Sequence, residues 1–243
     1  MALQQLRALL FDPASFFENH PPRKTVGMAT AVVLGVAALI TAGTAVIGRL
    51  FAARIDATYT ETVMEPWSDA QCSSFEEMGT MPEQCQIDEP VTREVDVGAE
   101  VWSEILRLLP LVFLSLVVFW LLIALALHLL SALFDARGGF GATLSAVGWG
   151  MVLELVSTAI GLGVIAATLY GTEFASDPEL LLEQLEALTG GGPSVVSTLG
   201  TVLVALWQAY IWTYGLSRAR SLSVGEAGIV TAPVAVVVLL LSL

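Results

Sequence analysis

The charged residues of this chain come in bunches, separated by long stretches that contain none. Residues 25–48, 108–134, 187–217 and 227–243 hold no Asp, Glu, Lys or Arg, and residues 138–172 hold one, Glu154. A helix needs about 20 apolar residues to cross a hydrocarbon core of about 30 Å. Four of the runs exceed that length. The last, 17 residues long, reaches across where the bilayer thins or neighbours shield its ends. None shows the apolar–polar alternation of a barrel strand, and a spanning segment must satisfy its own backbone, so the runs predict helices. The expected fold is all-α: an integral membrane bundle of five transmembrane helices, with spans at about 25–49, 106–134, 143–170, 197–217 and 227–243, forming a single membrane domain over 1–243.

The segments between the spans add detail. "MALQQLRALL" places Leu3, Leu6, Leu9 and Leu10 at helical spacing, with Gln4, Gln5 and Arg7 around the rest of the wheel. That pattern predicts an N-terminal interfacial helix. Asp12 followed by Pro13 reads as the N-cap and first residue of a second helix. "SDPELLLEQLEALTGGG" repeats the device: Asp177 or Ser176 caps, Pro178 opens, and Leu181, Leu182, Leu185 and Leu188 form the apolar face before the Gly190–Gly192 stop. Residues 52–102 form one long polar loop with β-like runs, "ATYTETVM" and "EPVTREVDV", punctuated by Pro66, Pro82 and Pro90. This loop is too short for a core of its own. It holds the only two cysteines, Cys72 and Cys85, and an oxidising compartment would join them into a disulfide that closes a small hairpin or loop.

Composition supports the membrane reading. The chain is 56% hydrophobic and 14% charged, against roughly 25% charged in a soluble domain, which leaves too little polar surface to cover a soluble α-domain. The first span follows a polar stretch, "FENHPPRKT", and is too long for the core of a cleaved signal peptide. Charge then sets the expected orientation. Arg7, Arg23, Lys24, Arg137, Arg218 and Arg220 fall on the N-terminal side of the membrane, together with only four acids, Asp12, Glu18, Asp135 and Glu226. The opposite side carries 18 of the 23 acids, and its short loop, 171–197, has no Lys or Arg. Basic residues in short loops mark the cytoplasmic face, so the N-terminus is expected inside and the C-terminus outside, in a multi-pass protein of a cell membrane. The net charge of −13, with one Lys against nine Arg, resembles the surface of a halophilic protein and disfavours nucleic acid as a partner.

The search for chemistry is nearly empty. The sequence has no phosphate-cradling loop, no His-Glu-x-x-His and no Gly-x-Ser-x-Gly. No catalytic, cofactor-binding or metal-ligating set is expected, and no enzyme. Glu154 is the exception, because a carboxyl group inside a span is costly and is by default a functional-site hypothesis. Its helix face includes Val147, Gly150, Met151, Ser157, Thr158 and Gly161. Small residues there would let another helix approach closely. The first span offers such a surface in Gly27, Ala31 and Gly35, followed by Ala38, Ala42 and Ala45. One reading makes Glu154 structural: uncharged and hydrogen-bonded across a tight helix pair. The other makes it a proton or cation relay. On either reading Glu154, Ser157, Thr158 and His128 are the candidate intramembrane polar site. His128 either pairs with Glu154 or extends toward the inner interface. Trp207, Tyr210, Trp212 and Tyr214 read as an interfacial aromatic belt.

Three stretches carry a family resemblance. "LLFDPASFFENHPPRKT" resembles the opening segment of the Yip1 domain family, where an Asp-Pro … Phe segment precedes the first of five spans. "LIALALHLLSALFDARGGFGATLSAVGWG" resembles its second span, Gly- and Phe-containing inner turn and third span. "WTYGLSRARSLSVGEAGIVTAPVAVVVLLL" resembles its last inner turn and final span. The chain departs from the pattern in the third span, where the family often has a Tyr and a Pro and here stand Trp149 and the Glu154 region. The resemblance implies a non-enzymatic membrane protein. Eukaryotic members of the family are trafficking proteins that associate with small GTPases and vesicle machinery, and prokaryotic members are multi-pass membrane proteins without an assigned activity. The acidic composition favours the prokaryotic type. The expected role is a membrane scaffold or accessory subunit, in contact with the lipid bilayer and with other membrane proteins or further copies of itself. The alternative is a small transporter or ion-conducting bundle that uses Glu154.

The orientation can be tested directly. Cysteine introduced at Gly139 or Ser221, both beside basic short loops, should resist a membrane-impermeant thiol reagent in intact cells. Labelling at both positions would invert the topology.

Overall fold

The computed structural model describes residues 2–76, 78–190 and 195–242. It opens with α1 (Ala2–Phe11), α2 (Pro13–Asn19) and a 3-10 turn at Pro22–Lys24. The long apolar elements are α3 (Val26–Ala52), α5 (Val97–Ala132), the consecutive helices α6 (Phe140–Gly150) and α7 (Val152–Gly171), then α9 (Val195–Arg220) and α10 (Val224–Ser242). Between them lie β1 (Thr58–Met64), α4 (Asp69–Glu76), β2 (Val91–Asp96) and α8 (Pro178–Gly190). Helix accounts for 77% of the chain and the sheet has two strands, so the fold is all-α. Among the described residues, five stretches are long and apolar enough to cross a membrane: Val26–Ala52, Val97–Ala132, Phe140–Gly171, Thr198–Arg220 and Val224–Ser242. Large apolar side chains point outward along them, among them Leu39, Leu111, Leu122, Ile160, Leu203 and Leu240. Such surface is tolerable only where hydrocarbon, not water, is the solvent.

Two of these helices differ from the pattern in the sequence. The second begins at Val97 rather than near residue 106, because the Asp96 side chain accepts a hydrogen bond from the Ala99 backbone N–H (2.9 Å) and caps the helix there. The third is interrupted at Met151, whose N–H bonds back to Gly148 and Trp149 carbonyls and whose carbonyl accepts from the Glu154 N–H (3.0 Å). That i→i−3 closure is a tightened, 3-10-like turn within the span.

The described residues form two compact units. One gathers α1, α2 and the apolar stretches of all five spans. Its main core joins Val33 of α3, Trp120, Ile123 and Leu127 of α5, Val147 and Met151, Trp212 and Leu216 of α9, and Ala227, Val230 and Val234 of α10. A second cluster seats the N-terminal helices: Leu9, Phe16 and Phe17 pack with Leu153 and Ile211. Asp12 caps α2 through the Ser15 N–H, with Pro13 at the first position, as the sequence predicted. Of the apolar face foreseen for α1, Leu9 is buried, Leu10 is half-buried and Leu6 is exposed. The side chain of Leu3 lies outside the described residues.

The other unit is built on the antiparallel pair β1–β2, in register from Thr58↔Asp96 to Thr62↔Thr92 with a bulge before Met64↔Val91. The predicted β-like runs are these strands. The connection between them carries α4 and the disulfide Cys72–Cys85. A small core of Ile55, Ala57 and Leu181 sits beneath, flanked by Phe51, Val101, Phe174 and Leu185. Asp177 caps α8 through the Glu179 and Leu180 N–H groups. Leu182 is exposed. The side chain of Leu188 and the end of the glycine stop lie outside the described residues. Gly98 marks a forced close approach: a Cβ there would stand 2.5 Å from the Ala52 carbonyl oxygen and 2.9 Å from that of Ile55. The exposed Arg93–Glu61 pair across the strands adds little.

The disulfide closes the longest irregular stretch of this unit. Replacing Cys72 and Cys85 together by Ser should cost roughly 3 kcal/mol of its local stability, the value for a loop of about this length. Limited proteolysis should then cut faster between the strands, while the helical circular dichroism of the whole protein stays unchanged. Unchanged cleavage rates would show that the bond stabilises nothing.

Candidate functional site

The site grows out of one helix seam. α9 presents Gln208, Trp212, Gly215 and Ala219 at three- and four-residue spacing, which puts them on one face. The third span runs past it antiparallel, offering Glu154, then Gly150 with Val147, then Ala146 and Ala142. The lower half of the seam is made of small residues: Ala142, Ala146 and Ala219 pack together. A Cβ on Gly215 would stand 3.0 Å from both the Ala146 Cβ and the Phe17 ring. One turn further, the Trp212 indole lies over Gly150, donates from Nε1 to the Val147 carbonyl (3.4 Å) and is 1% exposed. No residue larger than glycine fits at Gly150 without moving that ring.

The next turn is polar. The Gln208 Nε2 donates to Glu154 Oε1 at 3.0 Å. Gln208 is only 2% exposed, and Glu154 is half-buried. The interruption at Met151 places Glu154 in the first turn of α7, the end of a helix where a carboxyl group is electrostatically favoured. Ser157 and Thr158 follow one turn along α7 and are half-buried. His128 is not part of this group. On α5 its Nδ1 pairs with the Thr143 hydroxyl (3.1 Å) and its ring stands edge-on to Phe140. The helix partner of Glu154 is therefore α9, not the first span. Gly27 and Gly35 of the first span and Gly161 of α7 have open space before them. The first span meets the third elsewhere, where Gly148 approaches Ala29 and Val33. The aromatic cluster also divides: Trp207 and Tyr210 are exposed, whereas Trp212 is core.

Several other polar groups in the spans are matched within the protein, whereas the buried Thr41 hydroxyl has no hydrogen-bond partner. The Thr25 and Ser145 hydroxyls are 3.0 Å apart, the Trp149 Nε1 donates to Thr25 (3.4 Å), and the Trp120 Nε1 donates to the Leu144 carbonyl (3.0 Å). Sequence reasoning missed Gln208. Its signal was present, as the one carboxamide in the uncharged run 187–217. No group of His, Cys, Asp and Glu that could hold a metal occurs among the described residues.

This architecture, a helical protein with five apolar stretches of spanning length and an internally bonded carboxyl group in the third, defines a multi-pass membrane protein. Residues 7–243, nearly the whole chain, match the Yip1 domain, and the chain belongs to that family. Comparison with curated proteins and with solved structures yields no match.

The seam makes a prediction about Glu154. Glu154→Gln keeps an acceptor for Gln208 and should leave stability nearly unchanged. Glu154→Leu leaves the buried Gln208 carboxamide without its partner, a loss of roughly 1–3 kcal/mol. The pair Glu154→Leu with Gln208→Leu should recover most of that loss, because both polar groups are then gone. Thermal unfolding in detergent reads all three variants. Additive losses in the double variant would show that the two side chains do not act on each other.

Proposed function

We propose that this Yip1 protein is a non-enzymatic scaffold or accessory subunit of a cell membrane, acting through helix and loop contacts with other membrane proteins or with further copies of itself. The N-terminus is cytoplasmic and the C-terminus extracytoplasmic, as the basic short loops suggest, and the acidic opposite face suits a salt-rich exterior. The observation that carries the reading is the use to which the intramembrane carboxyl is put. Glu154 binds Gln208 and so ties α7 to α9. Beyond that tie, α7 turns Val156, Ile160, Val164 and Ile165 outward. A helix held at one end and apolar along its outer face is suited to lie against another helix in the bilayer. Membership of the family supports the same reading, since Yip1 proteins are generally non-enzymatic.

The interruption at Met151 is the feature a transporter would use, because half-helix ends at membrane depth bind ions in many carriers. Reconstituted vesicles separate the two. The scaffold reading expects no proton or cation flux from the parent protein above that of empty vesicles. It also expects a photoreactive residue at Ile160 to cross-link in native membranes to a discrete protein or a second copy. A flux present in the parent and abolished in Glu154→Gln would replace the scaffold with a relay.

A further inference from the structure

We infer that the end of the bundle where the 3-10 turn, the 133–139 connection and the 221–223 turn meet is a binding surface for the headgroups of anionic phospholipids. Three separate pieces of chain converge there. Arg23 donates from Nη2 to the Arg137 carbonyl (3.3 Å) and to the Ser221 hydroxyl (3.0 Å). The Arg137 N–H donates to the Arg220 carbonyl (2.8 Å). Arg220 donates from Nε to the Ser131 hydroxyl (2.9 Å) and from Nη1 to the Gly138 carbonyl. Gly138 has φ +130°, and a Cβ on it would run into the Ala219 carbonyl oxygen and the Arg23 guanidinium. Two guanidinium groups thus close on consecutive peptide carbonyls, those of Arg137 and Gly138, and the hydrogen bonds that hold them go to neutral oxygens.

That choice of partners is the point. Arg23 keeps its charge unneutralised and is exposed, as are Lys24, next to it in the chain, and Arg137; Arg220 is itself buried, 4% exposed, and ties the segments together from beneath. The acids on this side are mostly engaged elsewhere: Asp12 caps α2, Glu18 pairs with Arg218, and Glu226 holds the Ser223 N–H and hydroxyl. Asp135, exposed on the same connection, is the remaining carboxylate. In a chain of net charge −13, three exposed cations gathered over a buried fourth, Arg220, without a carboxylate among their hydrogen-bond partners, form an anion surface. Its place fixes the anion. All three segments are span ends, where the chain leaves hydrocarbon and meets the phosphate layer of the leaflet. Guanidinium groups bind phosphate oxygens in a planar, two-pronged fashion that suits a headgroup.

The test uses the full-length protein in zwitterionic detergent, titrated with short-chain phosphatidylglycerol or phosphatidylcholine and read by native mass spectrometry. The parent should bind phosphatidylglycerol the more tightly. Lys24→Gln with Arg137→Gln removes two exposed charges that hold no side-chain bond, and should weaken phosphatidylglycerol about 25-fold, about fivefold for each cation at a membrane surface. Lys24→Arg with Arg137→Lys keeps the charges and should keep the affinity, which separates charge from fold. Equal affinity of the parent for the two lipids overturns the inference, as does a Gln pair that binds like the parent. Inorganic phosphate binding as tightly as phosphatidylglycerol would make this a soluble-anion site and overturn it too.

Discussion

The seam between the third and fourth spans is the constraint on which the membrane part of the structure rests. Hydrocarbon gives two helices no reason to associate through apolar surface alone, since lipid is as good a neighbour as leucine. Contact has to come from close backbone approach and from polar groups that have nowhere else to go. The seam supplies both in sequence order. Ala142, Ala146, Gly215 and Ala219 bring the helices together at one end, Gly150 receives the Trp212 indole in the middle, and Glu154 meets Gln208 beyond it. The other cores build outward from the same helix. α10 packs through Val230 and Val234 onto the cluster containing Trp212, and α1 and α2 dock Leu9, Phe16 and Phe17 against Ile211.

Much of this was legible in the sequence, for a reason that is itself physical. Spans are dictated by the bilayer thickness and the ban on bare backbone, and both act on composition over tens of residues, so the five helices could be read from the absence of charge. Caps are dictated by one or two residues in contact with their own neighbours, and Asp12 and Asp177 fall where local rules put them. The disulfide followed from the presence of two cysteines in one polar segment. Glu154 was visible because a charge in a span is rare. What stayed hidden were choices between surfaces. The small stripe of Gly27, Ala31 and Gly35 and the small face of α9 look alike on paper, and nothing local says which one Glu154 will meet. The decision lies in which helices are neighbours, and here it went to the helix carrying Gln208. The break at Met151 was hidden as well, since glycines at 148 and 150 are compatible with a straight helix.

The polar ends of the spans follow a different rule from their middles. Inside, polar side chains are paired within the protein, as His128 is with Thr143 and Thr25 with Ser145, while the buried Thr41 hydroxyl has no partner. At the end where Arg23, Arg137 and Arg220 converge, the bonds satisfy geometry and leave charge over. The fold is fixed by the first kind of pairing and left with something to offer its surroundings by the second.

The way the seam is built also governs how such a sequence can wander over generations. Positions such as Ile160, Leu203 and Leu240 face outward, and there one bulky aliphatic residue serves lipid as well as another. Those letters can be exchanged freely without any mark on the fold. Gly150, Gly215 and Gln208 admit no such trade, because each is matched in size or bonding to particular neighbours. Two descendants of one ancestor could therefore come to share few letters over most of their length and still keep the same few coordinates of contact. Kinship in a chain of this kind is written at the sparse places where helices touch, and it is quickly erased everywhere else.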